Sequence, residues 1–231
     1  MQKKVPGVFI MGKTILTPKQ SQFLEQVSKD EQITKQFYLT GGTALSEFYL
    51  KHRLSYDIDL FTEKQEVDQK LTEAFLKKIS RNLEVVEIKR SQMMGLVSYI
   101  LVFDNDQKLK VDFSYYPFPR IEKGTYFKNL EVDSVYDIAA NKLHTIFMQP
   151  RSRDYLDLYF IMQKYRYPLD KLILAAKAKF DWHIDRVTLA SQFIKVTDFD
   201  ESSLMIIPFN KKTMDDFFLS LAKSLEGEIF K

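Results

Sequence analysis

The chain has 231 residues, with 34 Lys+Arg against 31 Asp+Glu and a formal charge of +3. Hydrophobic residues make up 45% and charged residues 28%, a globular composition that excludes a disordered chain. The absence of cysteine excludes disulfides, thiolate metal sites, iron–sulfur clusters and cysteine nucleophiles, and so small a net charge leaves only a local basic patch as a route to nucleic acid.

Residues 8–11 form an apolar patch too short for the core of a signal peptide, and no stretch approaches the ~20 apolar residues of a membrane span. A soluble, cytoplasmic protein is expected. Thr17-Pro18-Lys19-Gln20 predicts a helix start, with Thr17 as cap, Pro18 at the first helical position and Gln20 completing a capping box. Phe23, Leu24, Val27 and Ile33 supply its apolar stripe. A short strand is expected over residues 37–39, ended by Gly41-Gly42, and a helix from Thr43. Residues 56–61 alternate as a strand does, and residues 68–80 read as an amphipathic helix. Strands follow at 83–88, 96–103 and 108–115, the last two joined by the polar turn 104–107 as a hairpin. Beyond Pro117 and Pro119 the pattern turns helical, at 135–149, 155–164, 169–180 and 214–225. The expectation is an α+β protein: a mixed sheet with helices over residues 1–120, then a helical part over 121–231.

Two segments carry chemistry. In a strand, Asp57 and Asp59 share one face with Ser55. Two neighbouring carboxylates repel, and a divalent cation such as Mg²⁺ or Mn²⁺ removes that repulsion through hard oxygen ligands. The bland alternative is a solvated edge strand. The turn at Gly41-Gly42, one helix earlier, favours the metal reading: glycine lets the backbone approach a ligand closely, and a helix start with the Thr43 hydroxyl offers donors to phosphate. Asp112, on the polar face of its strand, is the candidate third carboxylate. The second segment places Lys142 on one helix and Asp154 and Asp157 near the start of the next, separated by Pro150. Lys142 suits a phosphate as a point charge, and Arg153 serves as a second cation or as the partner that positions Asp154.

These residues carry a resemblance. The strings Tyr38-Leu39-Thr40-Gly41-Gly42-Thr43-Ala44-Leu45 and His52-Arg53-Leu54-Ser55-Tyr56-Asp57-Ile58-Asp59-Leu60-Phe61, then Val111-Asp112-Phe113 and Lys142…Arg153-Asp154…Asp157-Leu158, occur in order over residues 38–158. In this the chain resembles the AbiEii/AbiGii-type nucleotidyltransferase toxins of type IV toxin–antitoxin systems, and the related MenT-type toxins. The resemblance implies a polymerase-β-like nucleotidyltransferase fold. It implies NTP phosphate on Gly41, Gly42 and Thr43, with Ser55 and Arg153 nearby, and Mg²⁺ on Asp57 and Asp59. By the same resemblance Asp112 matches the superfamily's third carboxylate more loosely, and Lys142 and Asp154 would be required for activity. It also implies an RNA or tRNA end as acceptor and a cognate antitoxin as partner. One position departs from the family pattern: Gln149 stands where an Arg is usual, with Arg151 close by.

Basic pairs at 77–78, 89–90, 151/153 and 211–212 are candidates for an RNA face or plain solvated surface, and Tyr115, Tyr116, Phe118 and Tyr126 for base stacking or core. His52, His144 and His183 offer no ligand pair by spacing. Two rivals remain at this stage. One is a nucleotide-sugar glycosyltransferase, which also uses Asp-x-Asp. The other is a degenerate relative that binds a nucleotide or a partner without turnover.

Overall fold

The computed structural model describes residues 14–199 and 204–226; the patch at 8–11 lies outside them. The first helix, α1 (Pro18–Lys29), starts as expected: the Thr17 hydroxyl accepts from the Gln20 N–H, and Gln20 Oε1 accepts from the Thr17 N–H at 2.9 Å. The stripe breaks before Ile33, because the Asp30 carboxylate caps a new helix, α2 (Glu31–Gln36), through the N–H groups of Gln32 and Ile33. Then come β1 (Tyr38–Thr40), α3 (Gly41–Leu45), a π-helical turn (Ser46–Leu50) and β2 (Ile58–Thr62). They are followed by α4 (Gln69–Leu83), β3 (Val85–Met93), β4 (Leu96–Phe103) and β5 (Lys108–Tyr115). The β4–β5 hairpin falls where its alternation predicted.

Two short strands, β6 (Thr125–Phe127) and β7 (Leu130–Val132), were not legible in the sequence. At three residues each they lie below the length at which alternation signals a strand. They complete a seven-stranded mixed sheet of order β3-β4-β5-β2-β1-β7-β6. The sheet therefore continues past residue 120, the expected limit of the first part, because β7 pairs parallel with β1 through Leu39 and Val132. Helices follow: α5 (Val135–Met148), α6 (Ser152–Tyr165), α7 (Leu169–Phe180), α8 (Arg186–Ile194) and α9 (Lys211–Glu226). The apolar faces of β2 and β5 (Ile58, Leu60, Leu109, Val111 and Phe113) are buried in one core with Phe23, Leu24 and Phe75. Burial of these side chains stabilises the fold by ~1.5–3 kcal/mol each, and it leaves the opposite strand positions to face the helices α5 and α6. Among the described residues no helix is long and apolar enough to cross a membrane.

Asp133, just after β7, is fully buried. Thr40 Oγ1 donates to its Oδ2 at 2.7 Å, and the Ser134 N–H to its Oδ1 at 3.1 Å. Burial pushes its carboxyl up to about 7, against the pull of Lys179 and with the help of Asp137. The folded state therefore holds a proton that the unfolded chain releases near pH 4. Stability falls as pH rises from about 4 to about 7, then levels. Asp133→Asn removes this dependence. Its stability relative to wild type is expected to improve by ~2–4 kcal/mol between pH 4.5 and pH 8, measured by urea unfolding. Parallel pH profiles for the two proteins would contradict it.

Candidate active site

Strand register lines up the polar side chains. Thr40 of β1 lies opposite Asp59 of β2, Asp59 pairs with Asp112 of β5, and Asp112 lies opposite Ser98 of β4. Adjacent strands are ~4.8 Å apart, so Asp59 and Asp112 stand side by side on one face. Asp57 lies on the segment entering β2 rather than within the strand, as does Ser55. Both still line the same cleft as Asp59 and Asp112, a cavity of about 370 Å³.

The glycine turn forms one wall of that cleft. Gly41 has φ +72°, and a Cβ built there would overlap the Asp59 carboxylate, lying 2.9 Å from its Cγ. A Cβ on Gly42 would press on the Arg53 guanidinium and lie 2.9 Å from Ser55 Oγ. Two glycines are needed here because the turn packs directly on the acidic row. Thr43 corrects an expectation. It is fully buried and its hydroxyl donates to the Asp57 carbonyl, so it fixes the loop carrying Asp57 and does not face the cleft.

The carboxylates differ in their partners. Ser98 Oγ and Lys110 Nζ donate to Asp112, the lysine at 2.5 Å. Among the described residues, no side chain or backbone group donates to the carboxylates of Asp57 or Asp59. Burial, together with the neighbouring Asp112 and Asp57, raises the Asp59 carboxyl to about 6, against the pull of Lys142 and Lys110. Two carboxylates free of hydrogen bonds, with an excess of negative charge, are a donor set that fits a hard divalent cation. As the side chains stand, no three acidic or histidine groups among the described residues converge on one point. Asp112, turned to Ser98 and Lys110, is the group that would have to rotate to join the other two.

The opposite wall comes from α5 and α6. Lys142 Nζ donates to Asp154 Oδ1 at 2.8 Å and pairs with Asp157 Oδ2 at 2.7 Å. Burial alone would lower the Lys142 pKa; Asp157 and Asp154 outweigh it and leave it raised. Burial alone would likewise raise Asp154, but Lys142 and Arg151 bring it down. The cation that pairs with Asp154 is Arg151 and not Arg153: the Arg151 Nε donates to Asp154 Oδ2 at 2.9 Å. Arg153 lines the cleft with no carboxylate partner among the described residues. Gln149 ends α5 and does not line the carboxylate cleft, so the cation on that side is Arg151.

Three features escaped sequence reasoning. Asp157 is fully buried at a junction: Arg53 Nε and Nη2 donate to it at 2.6 and 2.8 Å, and His52 Nε2 lies 2.9 Å from its Oδ1. Burial holds His52 below the usual imidazole range, so the neutral ring donates through Nε2. This junction fastens the segment preceding β2 to α6 across 104 residues. Lys110, on the same face of β5 as Asp112, pairs with it and lines the cleft. Asn141 lines the cleft with a buried Oδ1 that lacks a hydrogen-bond partner. By contrast, the expected surface pairs are largely occupied. Lys78 pairs with Asp30, Lys89 with Glu87, Arg90 with Glu73 and Lys211 with Asp215.

With the site described, comparisons place the chain among known proteins. Residues 22–224 match the family described as nucleotidyl transferase AbiEii toxin, type IV TA system. The Aquifex aeolicus (strain VF5) protein aq_aa25 is 28% identical over 188 residues, 80% of this chain and 86% of its own. Two Helicobacter pylori structures share the fold with a TM-score of 0.59. They are JHP933, at 18% identity (91% of this chain, 90% of that one), and one titled a putative nucleotidyltransferase, at 19% identity (91% and 94%). A match over most of the length, on an α+β fold shared with these structures, removes the glycosyltransferase rival: the chain belongs to the AbiEii nucleotidyltransferase toxin family of type IV toxin–antitoxin systems.

Proposed function

We infer that this enzyme moves a nucleoside monophosphate from an NTP to an acceptor hydroxyl, at an RNA or tRNA end, with Mg²⁺ or Mn²⁺, and that a cognate antitoxin restrains it. The observation that carries the reading is the cleft itself. One wall is the Asp57, Asp59 and Asp112 carboxylates against Gly41-Gly42, with the Arg53 guanidinium beside Gly42, and the other is Lys142, Arg151 and Arg153. A polyanion whose reacting end must meet a metal has these two needs together. The turn at Gly41-Gly42 brings backbone close to the phosphates, and Ser55 Oγ beside Gly42 adds a hydroxyl donor. Thr43 acts at one remove by holding the Asp57 loop. A divalent cation held by Asp57 and Asp59, with Asp112 rotated in as third ligand, would supply Lewis-acid polarisation of the α-phosphate and of the acceptor oxygen.

The remaining work falls to the chain's own groups. Arg153, which has no carboxylate to satisfy it among the described residues, places its charge on the β/γ phosphates. Lys142 keeps its proton between Asp154 and Asp157, so it lends a fixed positive field. Asp154 positions Lys142 and Arg151 and touches no substrate. Lys110, now paired with Asp112, would release that carboxylate to a bound cation, and Asp112 would be placed to accept the acceptor's proton.

The test is incubation with each α-labelled NTP, Mg²⁺ and total cellular RNA, followed by fractionation. Label in an RNA fraction, lost on adding chelator, is the expected result. Nucleotide binding without pyrophosphate release would favour the non-catalytic relative instead.

A further inference from the structure

The cleft does not end at the carboxylates. Tyr116, Thr145 and Arg151 line it and also line an adjoining cavity of about 560 Å³. The far wall of this second cavity is aromatic. His144 lies flat on Phe180, with ring centroids 3.8 Å apart and planes 17° apart. Phe118 meets Phe180 edge-on at 4.8 Å, and Tyr116 meets Phe118 at 4.9 Å. Burial holds the His144 pKa below the ordinary imidazole value, so its ring is an uncharged stacking surface. At the rim, Met148 is 52% exposed, and Gln149 presents an amide with both donors and an acceptor.

Resting on the reading of this protein as an NTP-dependent transferase, we propose that the adjoining cavity holds the nucleobase of the incoming nucleoside triphosphate. The aromatic wall stacks on the base, and the Gln149 amide reads its hydrogen-bonding edge. The chemistry divides as an NTP divides. The polyanionic end needs the glycine turn and the cations, all in the cleft. The flat, largely apolar end needs ring faces and a few polar atoms, and these lie next door. Arg151 borders both cavities, so a ligand spanning them passes beside a cation at the join. A base is the occupant that needs both the planar wall and the polar rim, since a purely apolar guest would leave the Gln149 amide without purpose.

The experiment is calorimetric titration of ATP, CTP, GTP, UTP and inorganic tripolyphosphate, each with Mg²⁺, into wild type, His144→Ala and Gln149→Ala. A single-stranded RNA oligonucleotide is titrated in parallel. Gln149 is exposed at the end of α5, so its variant is expected to keep the wild-type melting temperature. Loss of stacking in His144→Ala should weaken the preferred NTP at least about fivefold and leave tripolyphosphate within about twofold. Gln149→Ala should flatten the preference among the four nucleotides. NTP binding unchanged in both variants would overturn the proposal, as would equal weakening of NTP and tripolyphosphate. Weaker RNA binding with unchanged NTP binding would assign the cavity to the acceptor's base and so overturn it too. Wild type binding neither NTP nor tripolyphosphate would remove the underlying nucleotidyltransferase reading, a different result from any of these.

Discussion

Asp59→Asn is expected to abolish nucleotide transfer while leaving the fold no less stable than wild type. Asp59 sits at the centre of the acidic row, paired in register with Asp112 and packed against Gly41. Removing one of the carboxylates proposed to hold the metal would forfeit several kcal/mol of transition-state stabilisation, a fall in turnover of about 10³-fold or more. Stability moves the other way. With the metal absent, burial, Asp112 and Asp57 together raise the Asp59 carboxyl to about 6. Above that pH its charge opposes folding, and an amide of the same shape removes the opposition. Thermal unfolding at pH 8 should therefore give a melting temperature equal to or above that of wild type. Asp57→Asn should share the loss of activity. Persistence of label transfer from NTP in either variant would show that the metal assignment is wrong, and a sharp drop in melting temperature would show that Asp59 serves the fold instead.

Much of this arrangement was legible in the sequence because it is local. Alternation in residues 108–115 fixed β5 and put Asp112 opposite its apolar set, and the Thr17 capping box fixed the start of α1. Asp57 and Asp59, two apart, were bound to point the same way in any extended segment. What could not be read was pairing over distance. Nothing in the spacing of Asp59 and Asp112 states that their strands are parallel neighbours in register, and nothing joins Arg53 to Asp157. Arg151 and Arg153 were ambiguous for a different reason. Two residues apart at a helix start, both line the cleft, and only the turn of α6 decides which one reaches Asp154. β6 and β7 escaped because each is stabilised by its neighbour in the sheet and not by a pattern of its own.

That distant pairing has a large energetic signature. Asp157→Asn is expected to lower stability by ~3–5 kcal/mol, because it leaves the buried Arg53 guanidinium and the Lys142 ammonium short of a countercharge. Urea unfolding should show the midpoint falling by roughly 1–2 M. The Asp157 carboxyl would be raised by burial, but Arg53 and Lys142 hold it well below the usual carboxylate range. Its contribution is therefore present in full above about pH 4 and lost only as pH falls further, so the variant should lack part of the wild-type loss of stability in acid. Arg151→Ala is the contrasting case. That side chain is 60% exposed, and its ion pair with Asp154 should be worth ~1 kcal/mol or less. The double variant Arg53→Met/Asp157→Leu removes both charges together and leaves Lys142 paired with Asp154, so it should be less destabilised than the sum of its single variants by ~2 kcal/mol or more. Strict additivity, or a loss below ~1 kcal/mol in Asp157→Asn, would mean that the junction between the His52-Arg53 segment and α6 does not hold the two walls of the cleft together.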